Sequence, residues 1–324
     1  MQVNPFTTLY APHQTVAAAN ETELFALQLL DALWGRYRQR MEYVRKYEQM
    51  ITEHNGTFIN DHIAFRTIAS QKPAAGIFSI SRIFETLGYK PADCYNFPDK
   101  KLSATYFQHP NPRFPKLFIS QLNLWELSAA SQKCLMRSLR SHRAPIDLTL
   151  LNDLQKLNDL GESEKNKLQK ELNKFFYTLP WPLPQKKDVL AVNAESQYGA
   201  WVLVNGYEVN HFTASISARD VATLNDIEKV VSAMNAAGIP MKKEIEGAAG
   251  SKLRQSSTEA VTLSINVREG KNKTQMPWSY AYFEIAERPE LLNPDTGKLE
   301  RYEGFLGSQA TNLFNMTEHR RGNG

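Results

Sequence analysis

The chain is nearly without cysteine: Cys94 and Cys134 are its two, and no Cys-x-x-Cys spacing occurs. That argues against a disulfide framework and against a thiolate metal site, and it fits a reducing compartment, so a cytoplasmic location is expected. No uninterrupted apolar run approaches ~20 residues, and Met1 to Pro12 carries no basic stretch ahead of an apolar core, so neither a membrane span nor secretion is expected. The Asn-x-Ser/Thr matches at Asn20, Asn55, Asn272 and Asn315 then have no acceptor role. Neither sign of charge dominates. With 38 Lys and Arg against 34 Asp and Glu, the net charge is +4, and the absence of a long basic block disfavours nucleic acid as a partner. Missing too are the GxGxxG, P-loop, HExxH and GxSxG signatures, which removes the usual nucleotide, zincin and α/β-hydrolase readings.

What remains is a chain of 324 residues, 42% hydrophobic, enough for a packed core and readable as a single domain over 1–324. Residues 20–52 read as one helix: Asn20 and Glu23 suit a capping pair, and Leu27, Leu30, Trp34, Tyr37, Met41 and Val44 recur at steps of three and four. Arg36, Arg38, Arg40, Glu42, Arg45 and Lys46 read as its solvated face. Residues 57–124 form a first unit. It holds a strand over Asp61 to Thr67, a helix over Gly76 to Leu87 stopped by Gly88, and strands over Lys101 to Gln108 and Lys116 to Leu124. Residues 125–205 turn mainly helical, with helices expected over Ser131 to Ser141, Pro145 to Leu160 and Glu162 to Tyr177, ended by the Pro180 to Pro184 breaker. This reads as an insertion, and its Lys/Glu-rich run from Glu162 to Lys174 as an exposed helix face.

Over 206–317 the first pattern returns. Asn210 to Ile216 repeats a strand with a histidine near its start, and a helix over Leu224 to Ala237 is closed by Gly238, as the first helix is by Gly88. Strands over Val261 to Val267 and Tyr280 to Ala286 follow. Period two sends His62, Ala64 and Arg66 to one face and Ile63 and Phe65 to the other, so one face carries chemistry and the other packing. His62 and His211 at corresponding strand starts, with Glu284 inside an apolar strand, make a set of two histidines and one carboxylate. Such a set leaves coordination positions open and suits non-haem Fe(II). Singly, each histidine reads first as a hydrogen-bonded core residue and Glu284 as an edge-strand or salt-bridged carboxylate; their joint placement in the repeat turns the reading toward a ligand set. Arg66 lies four residues, roughly 13 Å of strand, beyond His62; its planar fork suits a substrate carboxylate, with a structural ion pair as the alternative. Gln255, Ser256 and Ser257 offer hydrogen-bonding groups for a pocket or for a surface turn. His13, His54, His109, His142 and His319 have no counterpart in the repeat and read as surface or incidental.

Five stretches taken together resemble a known family. They are Asp61-His62-Ile63-Ala64-Phe65-Arg66-Thr67, Val209-Asn210-His211-Phe212, Arg254-Gln255-Ser256-Ser257-Thr258, Tyr282-Phe283-Glu284-Ile285-Ala286-Glu287-Arg288 and Gly304-Phe305-Leu306-Gly307-Ser308-Gln309-Ala310. Their order is similar to that of the 2-oxoadipate dioxygenase/decarboxylases, the group once called domain of unknown function 1338. The likeness runs over about residues 20 to 317, and Asn312 to Thr317 departs from the family's usual pattern. It implies an α+β fold of the vicinal oxygen chelate type, with paired βαβββ modules curving round a metal site, an N-terminal helix and a helical insertion. It further implies Fe(II) held by His62, His211 and Glu284, and Arg66 on the substrate carboxylate. The implied reaction takes 2-oxoadipate and O2 to 2-hydroxyglutarate and CO2, in lysine catabolism. Two other readings stay open from the residues alone: another metal reaction of the same architecture, such as extradiol cleavage, isomerisation or a lyase step, and a metal-free binding module.

Overall fold

The computed structural model describes residues 11–142, 148–216, 221–294 and 296–306. Helix α1, Glu21–Arg40, starts where Asn20 accepts a hydrogen bond from the Glu23 amide at 2.9 Å, and Glu23 in return accepts from the Ala19 amide. Its apolar stripe, Leu27, Leu30, Trp34 and Tyr37, is buried against the sheet, where Trp34 stacks on Phe58 at 4.2 Å and meets Phe212 edge-on at 5.1 Å.

The single helix expected over 20–52 is two. At Met41 the backbone turns extended (φ −109°, ψ 95°) and α2, Glu42–Glu53, begins. The corner is held by side chains that no periodicity reveals. Arg45 donates to the carbonyls of Arg38 and Gln39, groups that a helix end leaves unpaired. Arg38 in turn grips the buried Glu48 at 2.7 Å. The arginine face is accordingly not simply solvated, since Arg36 and Arg40 are partly buried and both pair with Glu208.

Strand β1, Asn60–Gln71, is buried on both faces for all but its ends and carries the short partner β2, Ala74–Ala75. Helix α3, Phe78–Thr86, is closed by Gly88 at φ +100°, where an added Cβ would sit 2.7 Å from His109 Nε2. Strands β3 (Lys90–Phe97), β4 (Leu102–Gln108) and β5 (Lys116–Asn123) complete the first βαβββ unit, and β5 returns parallel to β1.

The helical insertion contains α4 (Ala129–Leu139), α5 (Leu148–Gln155) and α6 (Glu162–Tyr177) near the expected places; the start of the middle one, at Pro145, lies outside the described residues. The Lys/Glu face of α6 is exposed, with Leu168, Leu172 and Phe176 turned inward. Two further helices, α7 (Lys186–Glu195) and α8 (Gln197–Asn205), escape the periodicity. From Tyr198 to Asn205 every residue of α8 is buried, and a helix apolar all round shows no stripe.

The second unit runs β6 (Val209–Ser215), α9 (Ile227–Ala236), β7 (Arg254–Ser257) and β10 (Glu284–Glu287), with β10 parallel to β6 and β7 antiparallel to β10. Its missing strand survives as the stretch 241–246, bridged to β7 at Glu246↔Gln255 and to the residue just past it at Met241↔Thr258. The strand expected over Val261 to Val267 is real but lies outside the main sheet. As β8 (Thr262–Glu269) it forms a separate hairpin with β9 (Asn272–Ser279), whose Pro277 a two-stranded ribbon tolerates. The Tyr280 to Ala286 strand is regular only within β10; from Tyr280 to Phe283 the chain is buried but bonds irregularly to Thr258 and Val261. Strands β11 (Glu290–Leu292) and β12 (Leu299–Arg301) form a small outer hairpin.

Among the described residues, eight strands make one curved sheet, in the order β3-β4-β5-β1-β6-β10-β7 with β2 beside β1. The two units therefore meet through β1 and β6, antiparallel at its centre. One face, with Ile63, Phe65, Phe212 and Ile285, packs in the same core as α1 and α2. The other, with Ala64, Ile68, Phe118 and Leu122, packs with α8.

Replacing Arg38 by Ala leaves the Glu48 carboxylate buried beside an unbraced corner. Loss of one partner of a buried ion pair costs about 3 kcal/mol. Urea denaturation at pH 7 checks this, and a loss under about 1 kcal/mol would mean the corner is held by packing alone.

Candidate metal centre

Registry across the central strands decides which side chains meet. His62 lies opposite Thr213 and Ala64 opposite His211 between β1 and β6; Thr213 lies opposite Glu284 between β6 and β10. Cross-strand partners share a face, so His62, His211, Thr213 and Glu284 all project to the side covered by α8. Each is buried, Glu284 completely. One ligand atom from each of His62, His211 and Glu284 lies within 4.8 Å of the other two. Glu284 Oε2 is 3.2 Å from His62 Nε2 and 3.4 Å from His211 Nε2. Neighbouring ligands of an octahedral ion bound at ~2.1 Å stand about 3.0 Å apart, so the set is close to coordinating geometry.

The surroundings fit an ion as well. His62 Nδ1 is held by Asp61 at 2.8 Å and His211 Nδ1 by Asn210 at 3.0 Å, which leaves both Nε2 atoms turned to the centre. Thr213 Oγ1 lies 3.0 Å from His62 Nε2 and donates to Glu284 Oε2 at 3.0 Å. Glu284 Oε1 is buried with no hydrogen-bond partner among the described residues, a costly state for a carboxylate that a cation would relieve.

Electrostatics separates the two imidazoles. Burial pushes His211 down to about 3, leaving it neutral and fit to ligate. Burial also works against a charged His62, but Asp61 and Glu284 outweigh it and hold its pKa above the ordinary value. Glu284 is burdened by burial yet sits below the usual carboxylate range, because His211, His62 and Thr213 favour its anion. Asp61 behaves alike. Burial opposes its charge, but Arg288 and the His62 hydrogen bond prevail and its pKa falls well below normal.

A cavity of about 30 Å³ opens beside the two histidines of this set. His62 and His211 line it together with Arg66 and Ser120, and Ala64, Phe118, Tyr282 and Phe305 contribute apolar and aromatic surface. Arg66, 2% exposed, lies over the rings of Tyr198 at 5.0 Å and Trp201 at 5.3 Å, both from α8. Burial lowers its pKa while Tyr282 and Tyr198 oppose that shift, Tyr282 with a hydrogen bond; a guanidinium keeps its charge regardless. Ser120 meets the Tyr198 hydroxyl at 2.8 Å.

The four residues His62, His211, Glu284 and Arg66 thus come to one place. Gln255, Ser256 and Ser257 do not line the cavity. Gln255 and Ser257 pair with Ala286 and Glu284 and share their face, whereas Ser256 pairs with Ile285 and points into the opposite core. Of the unmatched histidines, His13, His109 and His142 are buried rather than at the surface. His13 bonds Asp31 at 2.7 Å, His109 accepts from the Asn111 amide, and His142 meets Tyr207. His319, the Asn312 to Thr317 stretch and the Gly307 to Ala310 half of the last motif lie outside the described residues.

Sequence reasoning passed over Asp61, Asn210, Thr213, Tyr198, Trp201 and Phe305. A signal existed for Asp61 and Asn210, each the polar residue just before a histidine; none existed for the two rings on α8. Glu246 was also missed. It pairs with Gln255 on the face of Glu284 and has a buried Oε2 with no hydrogen-bond partner among the described residues.

Burial, reinforced by Glu284, pushes Glu246 up to about 7. A carboxyl with a raised folded pKa supports folding below its unfolded value near 4.5 and loses that support as pH climbs through about 7. Glu246→Gln is therefore expected to melt close to wild type at pH 4.5 and increasingly above it toward pH 8. A difference in Tm independent of pH would contradict the raised pKa.

Residues 28–320 match the model of the 2-oxoadipate dioxygenase/decarboxylase family. A curated relative from Arabidopsis thaliana, a chloroplastic 2-oxoadipate dioxygenase/decarboxylase, is 30% identical over 277 residues, which is 79% of this chain and 67% of its own length. Among solved structures, the hydroxyglutarate synthase of Oryza sativa in complex with 2-oxoadipate is similar with a TM-score of 0.73 at 24% identity, covering 94% of this chain and 95% of that one. A protein of the glyoxalase superfamily from Ralstonia eutropha JMP134 gives 0.74 at 20% identity, over 83% and 84%. At those identities the structural likeness speaks for the fold.

Proposed function

The chain belongs to the 2-oxoadipate dioxygenase/decarboxylase family, and from that premise we propose that it converts 2-oxoadipate and O2 to 2-hydroxyglutarate and CO2. Fe(II) is the proposed metal, and His62, His211 and Glu284 are its proposed ligands. The observation that carries this reading is the buried set of three, two of which, His62 and His211, line one cavity with Arg66. A metal centre and a fixed cation on one cavity offer a diacid two anchors, the 2-oxo acid end toward the centre and the remote carboxylate on the guanidinium.

When bound, the iron supplies O2 activation and polarisation of the 2-oxo acid. The reaction balances with one oxygen atom of O2 in the newly made carboxylate, the other in the hydroxyl, and the original carboxyl leaving as CO2. Around it the chain's part is placement and exclusion of water. Asp61 and Asn210 fix the imidazole orientations, so that both Nε2 atoms face inward. Tyr198 and Trp201 hold the Arg66 plane, which limits how far the remote carboxylate can lie from the centre. The apolar walls of Phe118 and Phe305 keep water from the reacting carbon, so oxidation falls on the bound chain. A 2-oxo acid complex of a structurally similar synthase supports the substrate class.

Iron-loaded protein mixed anaerobically with 2-oxoadipate is expected to consume O2 and release CO2 and 2-hydroxyglutarate when air enters. Failure to consume O2 or to release CO2 would sink the substrate. Arg66→Ala should reduce kcat/KM for the diacid by about 100-fold, the worth of a charged bidentate contact, and reduce it far less for a 2-oxo monoacid of equal length. Equal losses on both acids would show that Arg66 is structural.

A further inference from the structure

Arg288 follows β10, four residues after Glu284, and is 3% exposed. Its guanidinium is divided between two duties. One edge holds Asp61, Nε to Oδ2 at 2.7 Å and Nη2 to Oδ1 at 3.0 Å, and Asp61 Oδ1 is the atom 2.8 Å from His62 Nδ1. The other nitrogen, Nη1, donates to the carbonyls of Tyr302 at 2.8 Å and Gly304 at 2.7 Å. Those carbonyls belong to the strap that carries Phe305. The Phe305 ring lies edge-on to His62 at 4.9 Å, under the Arg288 plane at 5.3 Å, and against Phe118 at 4.9 Å.

We propose that Arg288 is a positioning residue that couples the metal centre to the cavity wall, fixing His62 through Asp61 and Phe305 through the strap. The substrate half of this inference rests on the function proposed above; the metal half does not. Three observations carry it. The fork geometry matters first: one planar guanidinium donates to a carboxylate and to two carbonyls at once, which a lysine's point charge cannot reproduce. Second, the contacts are specific. Two go to the carboxylate that orients a ligand, and two to the main chain on either side of Glu303, just before a wall residue. Third, a cavity of about 30 Å³ holds a water or two and not a six-carbon diacid. A wall must give way for substrate, and the wall made by Phe305 is fastened by the same side chain that aims His62.

The coupling predicts that a change in Arg288's own contacts on one side is felt on the other, whereas trimming the Phe305 ring, which leaves those four hydrogen bonds in place, is felt only at the wall. Asp61→Asn keeps the shape but removes the charge, and Asp61 does not line the cavity. In this variant Co(II) affinity, measured by titration of the metal alone, should fall about tenfold or more. KM for 2-oxoadipate, measured at saturating iron, should rise severalfold as the strap loosens. Arg288→Lys should show both effects. Phe305→Leu should raise KM and leave Co(II) affinity unchanged, a control that also serves if Arg288→Lys does not fold. Normal KM in Asp61→Asn, or wild-type Co(II) affinity in folded Arg288→Lys, overturns the coupling. Wild-type protein inactive on 2-oxoadipate overturns the functional reading instead, while the Co(II) titrations still judge Arg288's hold on the metal ligand.

Discussion

The antiparallel pairing of β1 with β6 is the constraint on which the rest depends. It joins the two βαβββ units, lies at the middle of the sheet, and sets His62 and His211 on one face within reach of each other. A slip of one residue in this register would turn one histidine into the opposite core and bring an apolar neighbour, Ile63 or Phe212, to the metal face. The register is well specified because both faces of β1 are buried: Ile63 and Phe65 pack into one core, Ala64 and Ile68 into the other, and a slip would cost both.

Burying so much polarity there is tolerable only because charges are answered in sequence. Glu284 lies against two imidazoles and a threonine, His62 against Asp61, and Asp61 against Arg288, whose Nη1 donates to two main-chain carbonyls. The two histidines are treated differently. His62 leans on a carboxylate and His211 on a neutral amide, and their pKa values move in opposite directions. An ion entering the site therefore meets one electron-rich imidazole and one kept neutral by burial, alongside a single carboxylate.

Much of this was legible in the chain. Alternation around His62 and Arg66, its repetition at His211, and a carboxylate inside an apolar strand at Glu284 all follow from period two and from the cost of burying charge. Other features left no periodic trace. The break at Met41 is made by Arg45 and Arg38 reaching round a corner, which no local pattern encodes. Helix α8 is buried on all sides, so it has no stripe, and with it went the two rings that hold Arg66. Gln255, Ser256 and Ser257 were suggestive by composition alone. The strand register that sends Ser256 to the wrong face is a property of pairing with β10, which is invisible before folding.

The registers also define which residues are equivalent in the two units. Taking His62 with His211 makes Ala64 the counterpart of Thr213; Ala64 lies opposite Phe118, as Thr213 lies opposite Glu284. Phe118 is therefore the symmetry mate of Glu284. A second carboxylate at that position would place four protein donors round the ion with approximate twofold symmetry. With phenylalanine there the twofold is broken: the chain would offer a bound ion three donors rather than four, and the position matching Glu284 is an aromatic ring. The asymmetry of the centre is thus written into a pseudosymmetric pair of positions, one acidic and one apolar.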